Sequence, residues 1–248
     1  NKKEVLTELP DKIEQNIILP FNDEEEKLYV ANLAEVNKEL QELYDLEGSD
    51  KMQILKLLTR LRQLCLEPRL VYDNIDQPSS KLKACMELIK TMQENKQKVL
   101  LFSSFTSVLD LIAEECQKAG ITYYMLTGST NKEDRRELVS RFQKDDTTVF
   151  LISLKAGGTG LNLTSAEAVI HFDPWWNVSA QNQATDRAYR IGQKNNVQVF
   201  NLVMKDSVEE KIIELQKRKK ELADMFVENN SGGLSQMSKE DILSLFTM

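Results

Sequence analysis

The sequence is poor in the residues that build covalent cross-links and metal centres. Its 248 residues include three cysteines, Cys65, Cys85 and Cys116, with no CxxC pair, and a single histidine, His171. Neither a disulfide framework nor a protein-bound metal is therefore expected, and a reducing, cytoplasmic compartment fits this cysteine usage. No apolar run reaches transmembrane length and no signal peptide opens the chain, so no membrane partner is expected.

The chain also lacks the excess of positive charge that marks a simple DNA-binding module. It carries 32 Lys and Arg against 39 Asp and Glu, a net charge of −7, and its pI is about 5.1. Binding responds to a local patch and not to the sum over the chain. The composition therefore argues against a uniformly basic domain and leaves a local basic surface possible.

The sequence motifs that hold ATP and its metal ion are missing as well. No GxxxxGK[ST] loop occurs, and no DExx box follows a predicted strand. The chain is therefore not a self-sufficient P-loop ATPase. It begins abruptly with "NKKEVLTELP" and not with Met, which indicates a fragment of a longer polypeptide.

The part after residue 79 has the pattern of an α/β domain. Short apolar runs, bounded by turn residues, alternate with helical patterns, which is typical of a parallel sheet with helical crossovers. The predicted strands are 98–102, 123–126, 149–153, 168–172 and 197–203, and the predicted helices between them are 81–95, 105–119, 131–143 and 177–190.

Helical segments flank this domain on both sides. An extended lead-in (1–22) precedes two predicted helices, 24–46 and 50–66, and a long charged helix is predicted over 206–228. We therefore divide the chain into a joining segment (1–78), an α/β lobe (79–205) and a C-terminal helical part (206–248).

Glycines gather directly after the third predicted strand, in "SLKAGGTGLNLTSA". Gly157, Gly158 and Gly160 let the backbone approach a ligand closely, and equally they suit a loop that needs positive φ angles. The loop is not a P-loop, because Lys155 precedes these glycines.

Two arginines stand three residues apart in "QATDRAYRIGQ" (183–193). The pattern predicts Arg187 and Arg190 on one helix face, with Gly192 ending the helix. Such a pair suits a carboxylate such as Asp186 or Glu167, a nucleic-acid phosphate, or the phosphates of a nucleotide. The sequence alone leaves these targets open.

Just before this helix, "FDPWWN" (172–177) places two tryptophans side by side. An exposed tryptophan suits stacking at nucleic acid, and packing in the core is the equal alternative. His171 lies inside an apolar strand and is predicted to be a core residue.

The segments "KVLLFSSFT", "LTGSTNKEDR", "VFLISLKAGGTGLNLTSAEAVIHFDPWWN" and "QATDRAYRIGQ", in this order, resemble motifs IV, IVa, V and VI of the Swi/Snf-type ATPases, which are DNA translocases of helicase superfamily 2. The resemblance covers about residues 9–228 and implies the second RecA-like lobe of a two-lobed motor. Tyr189 stands where many eukaryotic members have histidine, which is compatible with a bacterial member, and Val178 stands where proline often follows the Trp-Asn pair. We expect a bacterial, nucleoid-associated protein; a eukaryotic one would be nuclear.

This resemblance implies an ATP site shared between two lobes. ATP and Mg²⁺ would be held mainly by a first lobe of the same polypeptide, which this chain lacks. Arg187 and Arg190 would act as arginine fingers, with Gly160 near the nucleotide. The isolated chain, expected to be monomeric, is predicted to fold without ATPase activity.

The resemblance also implies a grip on double-stranded DNA through its phosphates. The matching positions are Ser104, Gly128, Ser129, Arg135, Lys155 and Trp176. Contacts of this kind carry no base readout. The helix after residue 206 resembles a brace that packs back across such lobes.

Two other functions stay open at this point. The lobe could bind nucleic acid or protein without catalysis, or it could belong to a two-lobed nucleotide-sugar transferase. The latter would not require arginines at both 187 and 190.

Overall fold

The computed structural model describes residues 11–45, 51–157, 161–175, 177–190, 192–193, 195–225 and 245–246. Six strands form one sheet. Their bounds are β1 Lys12–Leu19, β2 Val99–Ser103, β3 Tyr123–Leu126, β4 Val149–Ser153, β5 Ala168–His171 and β6 Val197–Met204.

The strand order across the sheet is β1-β6-β5-β2-β4-β3. The pairs β2–β4, β2–β5, β3–β4 and β5–β6 are parallel, and Val99 at the start of β2 is in register with Val149 and Ala168. Every residue of β2, β4 and β5 is buried. These runs are apolar up to their last residues, Ser103, Ser153 and His171, because helices cover both faces of a parallel sheet. The predicted RecA-like parallel sheet with flanking helices is confirmed.

Eight α-helices are described. They are α1 Asp23–Asp45, α2 Lys51–Leu66, α3 Ser80–Glu94, α4 Thr106–Lys118, α5 Lys132–Phe142, α6 Leu154–Gly157, α7 Val178–Thr185 and α8 Val208–Met225. A 3-10 turn at Pro68–Leu70 follows α2, as a proline would be expected to end it. Within the described residues, no helix has both the length and the apolar character needed to cross a membrane.

The chain forms two compact units. The first comprises residues 1–17 and 84–202, and the second comprises 18–83 and 203–248. In the first unit the core joins sheet residues such as Phe102 and Phe150 with helix residues such as Phe142 and Ala184. Phe142 and Phe150 pack with ring centroids 5.2 Å apart.

The second unit contains α1, α2 and α8, and its interior includes a fully buried ion pair. The Nζ atom of Lys81 lies 2.6 and 2.7 Å from the two carboxylate oxygens of Glu209, and these side chains are 0% and 1% exposed. Glu209 also accepts a hydrogen bond of 2.8 Å from the backbone N–H of Met204. The pair therefore fixes the start of α8 immediately after β6.

Three features differ from the sequence-based expectations. Part of the lead-in, Lys12–Leu19, is an edge strand paired beside β6, and its exposed residues explain why no buried-strand pattern announced it. A short helix, α6, begins directly after β4 where a glycine loop was expected. Helix α7 ends at Thr185, five residues before the predicted end.

Candidate functional site

The carboxyl ends of β2, β3 and β4 border an open groove of about 610 Å³, which we name the strand-end groove. Ligands of parallel α/β sheets bind at this end of the strands. Four of the residues predicted from the sequence to contact DNA line it together: Ser104, Gly128, Ser129 and Lys155. They are 51 positions apart at their extremes in the chain, and the parallel register brings them to one edge.

The part of the groove that follows β3 is shaped by a tight turn. The Thr127 N–H donates to Thr130 Oγ1 at 3.1 Å, and the Thr130 N–H donates to Thr127 O at 3.2 Å. A Cβ atom added at Gly128 would meet no atom within 4 Å, and its φ is not in the left-handed region. Neither packing nor backbone conformation in the described chain therefore requires glycine here.

The part that follows β2 is held by a buried carboxylate. Asp173 is 1% exposed. Its Oδ1 accepts from Ser103 Oγ at 2.7 Å and from the Ser104 N–H at 3.0 Å, and its Oδ2 accepts from Ser104 Oγ. Since Asp173 follows β5, these bonds join the loop after β2 to the loop that leads to Trp175.

Arg135 lies in a second groove and not in the strand-end groove. We name it the helix groove, and its volume is about 760 Å³. Most of its lining residues come just after the strand-end groove residues Gly128 and Ser129 in the sequence: Thr130, Lys132, Arg135, Arg136 and Val139, with Leu161 from a later segment. Asn131 caps α5 by accepting from the N–H groups of Glu133 and Asp134 at 3.0 and 2.9 Å. The cap sets the direction in which α5 leaves the turn and so brings its cations beside the groove.

The electrostatic character of the two grooves is mixed. Lys155, Lys132 and Arg136 make no ion pair with another described residue. Asp110, which is exposed, adds a negative charge to the strand-end groove. The positive charge is thus local, in a chain whose net charge is −7.

The predicted helical presentation of Arg187 and Arg190 is wrong. Because α7 ends at Thr185, residues 186–190 lie in turns, and Gly192 is not the residue that ends the helix. Gly192 nevertheless has a φ of +105°, so the chain needs glycine there for a different turn. Beyond the helix, the carbonyls of Arg187 and Ala188 accept hydrogen bonds from Leu163 and Gln193.

Two hydrogen bonds anchor this arginine turn (residues 186–190), and a third joins one of their donors, Gln193, to Ala166. The Leu163 N–H donates to Arg187 O at 3.0 Å, and Gln193 Nε2 donates to Ala188 O at 3.1 Å and to Ala166 O at 2.8 Å. Gln193 is 6% exposed. The segment after the glycine-rich loop and the arginine turn are therefore fixed to each other by one main-chain hydrogen bond and by the Gln193 side chain, which bonds to both.

The two arginines differ in exposure. Arg187 is half-buried, whereas Arg190 is exposed and makes no side-chain hydrogen bond or ion pair with another described residue. Glu167, considered above as an ion-pair partner, accepts instead from Asn195 Nδ2 at 2.7 Å and from Gln97 Nε2 at 3.2 Å. The surface ion pair considered for Arg190 is therefore absent among the described residues.

His171 is a core residue, as predicted. Its ring stacks on Phe102 with centroids 5.6 Å apart, and its Nε2 lies 2.9 Å from Thr185 Oγ1. Burial lowers the pKa of His171 to about 4, so the ring is neutral at physiological pH. It joins the end of β5 to the end of α7 and is not a candidate acid or base.

The two tryptophans and the glycine-rich loop are only partly described. Trp175 is half-buried against the core of the first unit, and its backbone N–H donates to Gln181 Oε1 at 3.3 Å. Trp176 and Gly160, both predicted site residues, lie outside the described residues, as does Gly158.

Several residues of the two grooves were not anticipated from the sequence. Thr106, Thr127 and Ser153 line the strand-end groove, and Lys132 and Arg136 line the helix groove. Hydroxyl residues at the end of a predicted strand, or within four residues after it, were the available signal for the first group. Lys132 and Arg136 stand in the segment "KEDRR", where Glu133 and Asp134 balance their charge, so the sequence showed no basic patch.

Comparison with known proteins places this chain among helicase-type proteins. The Helicase conserved C-terminal domain family matches residues 80–192. An uncharacterised ATP-dependent helicase of Mycoplasma pneumoniae is 37% identical over 246 residues, which are 99% of this chain and 24% of that protein. The putative ATP-dependent helicase/translocase YwqA of Bacillus subtilis is 34% identical over 253 residues, 99% of this chain and 27% of that protein.

A solved structure supports the same relationship. The Sulfolobus solfataricus SWI2/SNF2 ATPase core in complex with dsDNA superimposes with a TM-score of 0.76 at 30% identity and covers 98% of this chain and 52% of that one. The present chain spans about a quarter of the length of the relatives named above.

Proposed function

Because this chain belongs to the Swi/Snf-type ATP-dependent helicases as their C-terminal helicase lobe, we propose that it completes an ATPase site and grips duplex DNA in a translocating motor. The observation that carries the proposal is the pairing of two distinct surfaces on one parallel sheet domain. One is an anchored turn that presents arginines, and the other is a groove of hydroxyl, glycine and lysine residues at the strand ends.

The arginine turn is the part that we assign to ATP hydrolysis. Arg190 projects a cation that has no internal partner among the described residues, and the backbone around Arg187 is fixed by Leu163 and Gln193. Guanidinium groups held this way match the charge that develops on a transferring γ-phosphate. In this proposal Arg187 and Arg190 act as fingers, and Gly160 lies close to the nucleotide.

The rest of the ATP site lies in a different lobe of the polypeptide. The sequence has no P-loop, and among the described residues no three His, Cys, Asp or Glu side chains cluster as a metal site. We assign the binding of ATP and Mg²⁺ to an N-terminal lobe, joined to this one by the segment 1–78. Such a division makes hydrolysis depend on closure of the two lobes.

The strand-end and helix grooves are the parts that we assign to DNA. Backbone N–H groups at Gly128, hydroxyls at Ser104 and Ser129, and the cations Arg135 and Lys155 suit phosphate oxygens. The open space at Gly128 fits a phosphate in close approach to the main chain. Trp176 belongs to the same predicted set. Contacts of this type bind backbone and not bases, so no sequence preference is expected.

The decisive experiment measures DNA-stimulated ATP hydrolysis by the intact protein. Arg187→Ala and Arg190→Ala are each expected to lower kcat by a factor of about 10³ or more while ATP binding is retained. Arg141→Ala is the matched control, since this exposed arginine pairs with Glu137 at 2.5 Å on α5, away from the turn. Unchanged turnover in both finger variants would refute the assignment. Absence of hydrolysis in the unmodified protein would indicate a lobe that binds without catalysis.

A further inference from the structure

We propose that Asp173 is a positioning residue that competes with DNA for Ser104. Its carboxylate accepts the hydrogen bonds that Ser104 would otherwise donate to a DNA phosphate, so Ser104 must release Asp173 before it can bind DNA. This inference rests on the proposed DNA-binding function of the strand-end groove. It concerns a residue outside the set assigned to DNA, and it predicts that a buried acid restrains the grip of the lobe on DNA.

The geometry at Ser104 carries the inference. Ser104 lines the strand-end groove, yet its backbone N–H and its hydroxyl both donate to the Asp173 carboxylate. A serine hydroxyl has one hydrogen to donate, and an ionised carboxylate only accepts. The Ser104 hydroxyl therefore cannot donate to a phosphate while it donates to Asp173.

The surroundings allow Ser104 to leave without loss of the loop. Asp173 Oδ1 also accepts from Ser103 Oγ at 2.7 Å, and Ser103 Oγ in turn accepts from the Phe105 N–H at 3.1 Å. Ser103 is fully buried whereas Ser104 is half-buried at the groove. Ser103 thus anchors the loop to Asp173, and Ser104 is the member of the pair that a ligand in the groove can reach.

An isosteric change separates competition from simple scaffolding. In Asp173→Asn, the amide oxygen can keep the bonds from Ser103 Oγ and the Ser104 N–H, and the amide Nδ2 faces Ser104 Oγ. That nitrogen donates where the carboxylate accepted, so the direction of this one hydrogen bond reverses. The serine hydroxyl then accepts from the amide, and its own hydrogen is free to turn toward the groove.

The test measures the affinity of the intact protein for a short DNA duplex by fluorescence anisotropy, at fixed salt and without nucleotide. Asp173→Asn is expected to bind the duplex about two- to tenfold more tightly, the range of one hydrogen bond gained. Ser104→Ala alone is expected to weaken binding by less than about fivefold, because the hydrogen bond that the hydroxyl gives up to Asp173 offsets the one that it gains to the phosphate. In the Asp173→Asn background, Ser104→Ala should remove the gain.

Asp110→Asn is the matched control for charge. Asp110 also lines the strand-end groove, and no hydrogen bond joins it to Ser104. Loss of its charge should improve binding independently of Ser104 and with a stronger dependence on salt. If Asp173 competes for the hydroxyl, the gain in affinity from Asp173→Asn depends on the Ser104 hydroxyl. If only a negative charge matters, the gain is independent of Ser104, as we expect for Asp110→Asn.

Three results would overturn the proposal. They are equal or weaker binding by a normally folded Asp173→Asn protein, a gain that persists without the Ser104 hydroxyl, and a loss of about fivefold or more in Ser104→Ala alone. The last measurement needs no change at Asp173 and so stands even if Asp173→Asn unfolds. A protein that binds no duplex at all would remove the proposed function itself, and this inference with it.

Discussion

Breaking the buried ion pair between Lys81 and Glu209 is expected to lower the free energy of unfolding by more than the loss of most single polar contacts would. In Lys81→Met the methionine fills much of the lysine's volume, but the Glu209 carboxylate, 1% exposed, loses the ammonium that compensates it. Removing one partner of such a pair costs about 3–5 kcal/mol in the free energy of unfolding. For a chain of this length, about 1 kcal/mol corresponds to about 2–4 °C in Tm, so we expect Tm to fall by roughly 6–20 °C.

The same geometry predicts an asymmetry between the single and the double variants. In Lys81→Met/Glu209→Met neither charge of the pair is left buried without its partner, so most of the loss should be recovered. Recovery should stay incomplete by about 1–3 kcal/mol, since the Met204 N–H loses the Glu209 acceptor at 2.8 Å. The double variant is therefore expected to be more stable than either single variant and less stable than the unmodified protein.

The measurement is thermal unfolding by calorimetry, combined with amide hydrogen exchange in the first turn of α8, where the ion pair acts. Lys118→Met supplies the control, because Lys118 and Glu115 lie at a comparable 2.8 Å but are 64% and 20% exposed. An exposed pair of this kind is worth less than about 1 kcal/mol. Equal effects of Lys81→Met and Lys118→Met would refute the argument that burial, and not distance, sets the energy.

Two further predictions concern the first unit. Burial lowers the pKa of His171 from 6.5 to about 4, so the unfolded chain binds a proton more readily than the folded one. The free energy of unfolding should therefore keep its full value above pH 6.5 and fall by about 3 kcal/mol as the pH drops to about 4. Urea unfolding across this range should show that slope, His171→Gln should lose it, and identical slopes in both proteins would contradict it. Gly128→Ala should leave Tm unchanged or slightly raised, because its Cβ would meet nothing within 4 Å. It should also weaken duplex binding while leaving the slope of log K against log salt nearly unchanged, because a backbone N–H carries no net charge, whereas unaltered binding would argue against a close approach at Gly128.

Much of the sheet was predictable because its central strands are buried on both faces. The runs in β2, β4 and β5 are apolar except for the last residue of each, and their predicted bounds agree with the structure to within one residue. Edge strand β1 was not predicted as part of the sheet, because its residues are mostly exposed and so lack the pattern of a buried strand. Its place was decided by pairing with β6, a partner about 185 residues away along the chain.

The candidate site shows the same division between local pattern and distant partner. Ser104, Gly128, Ser129 and Lys155 follow their strands in sequence, and parallel register alone brings them to one groove. Arg187 was predicted on a helix because the alanine spacing at 180, 184 and 188 continues past Thr185. The structure ends the helix there and ties the following carbonyls to Leu163 and Gln193.

What the sequence by itself determined was chemistry and local order: the arginine pair, the glycine and hydroxyl positions, the absence of a P-loop, and the alternation of strands and helices. These follow from residue type and from short-range periodicity. What only the tertiary structure decided was which distant residues become hydrogen-bond and ion-pair partners. The buried link between Lys81 and Glu209 spans 128 positions, and that between Ser104 and Asp173 spans 69. A hydrogen bond has no signature in local sequence when its two ends are brought together by the sheet, so such contacts appear only once the chain has folded.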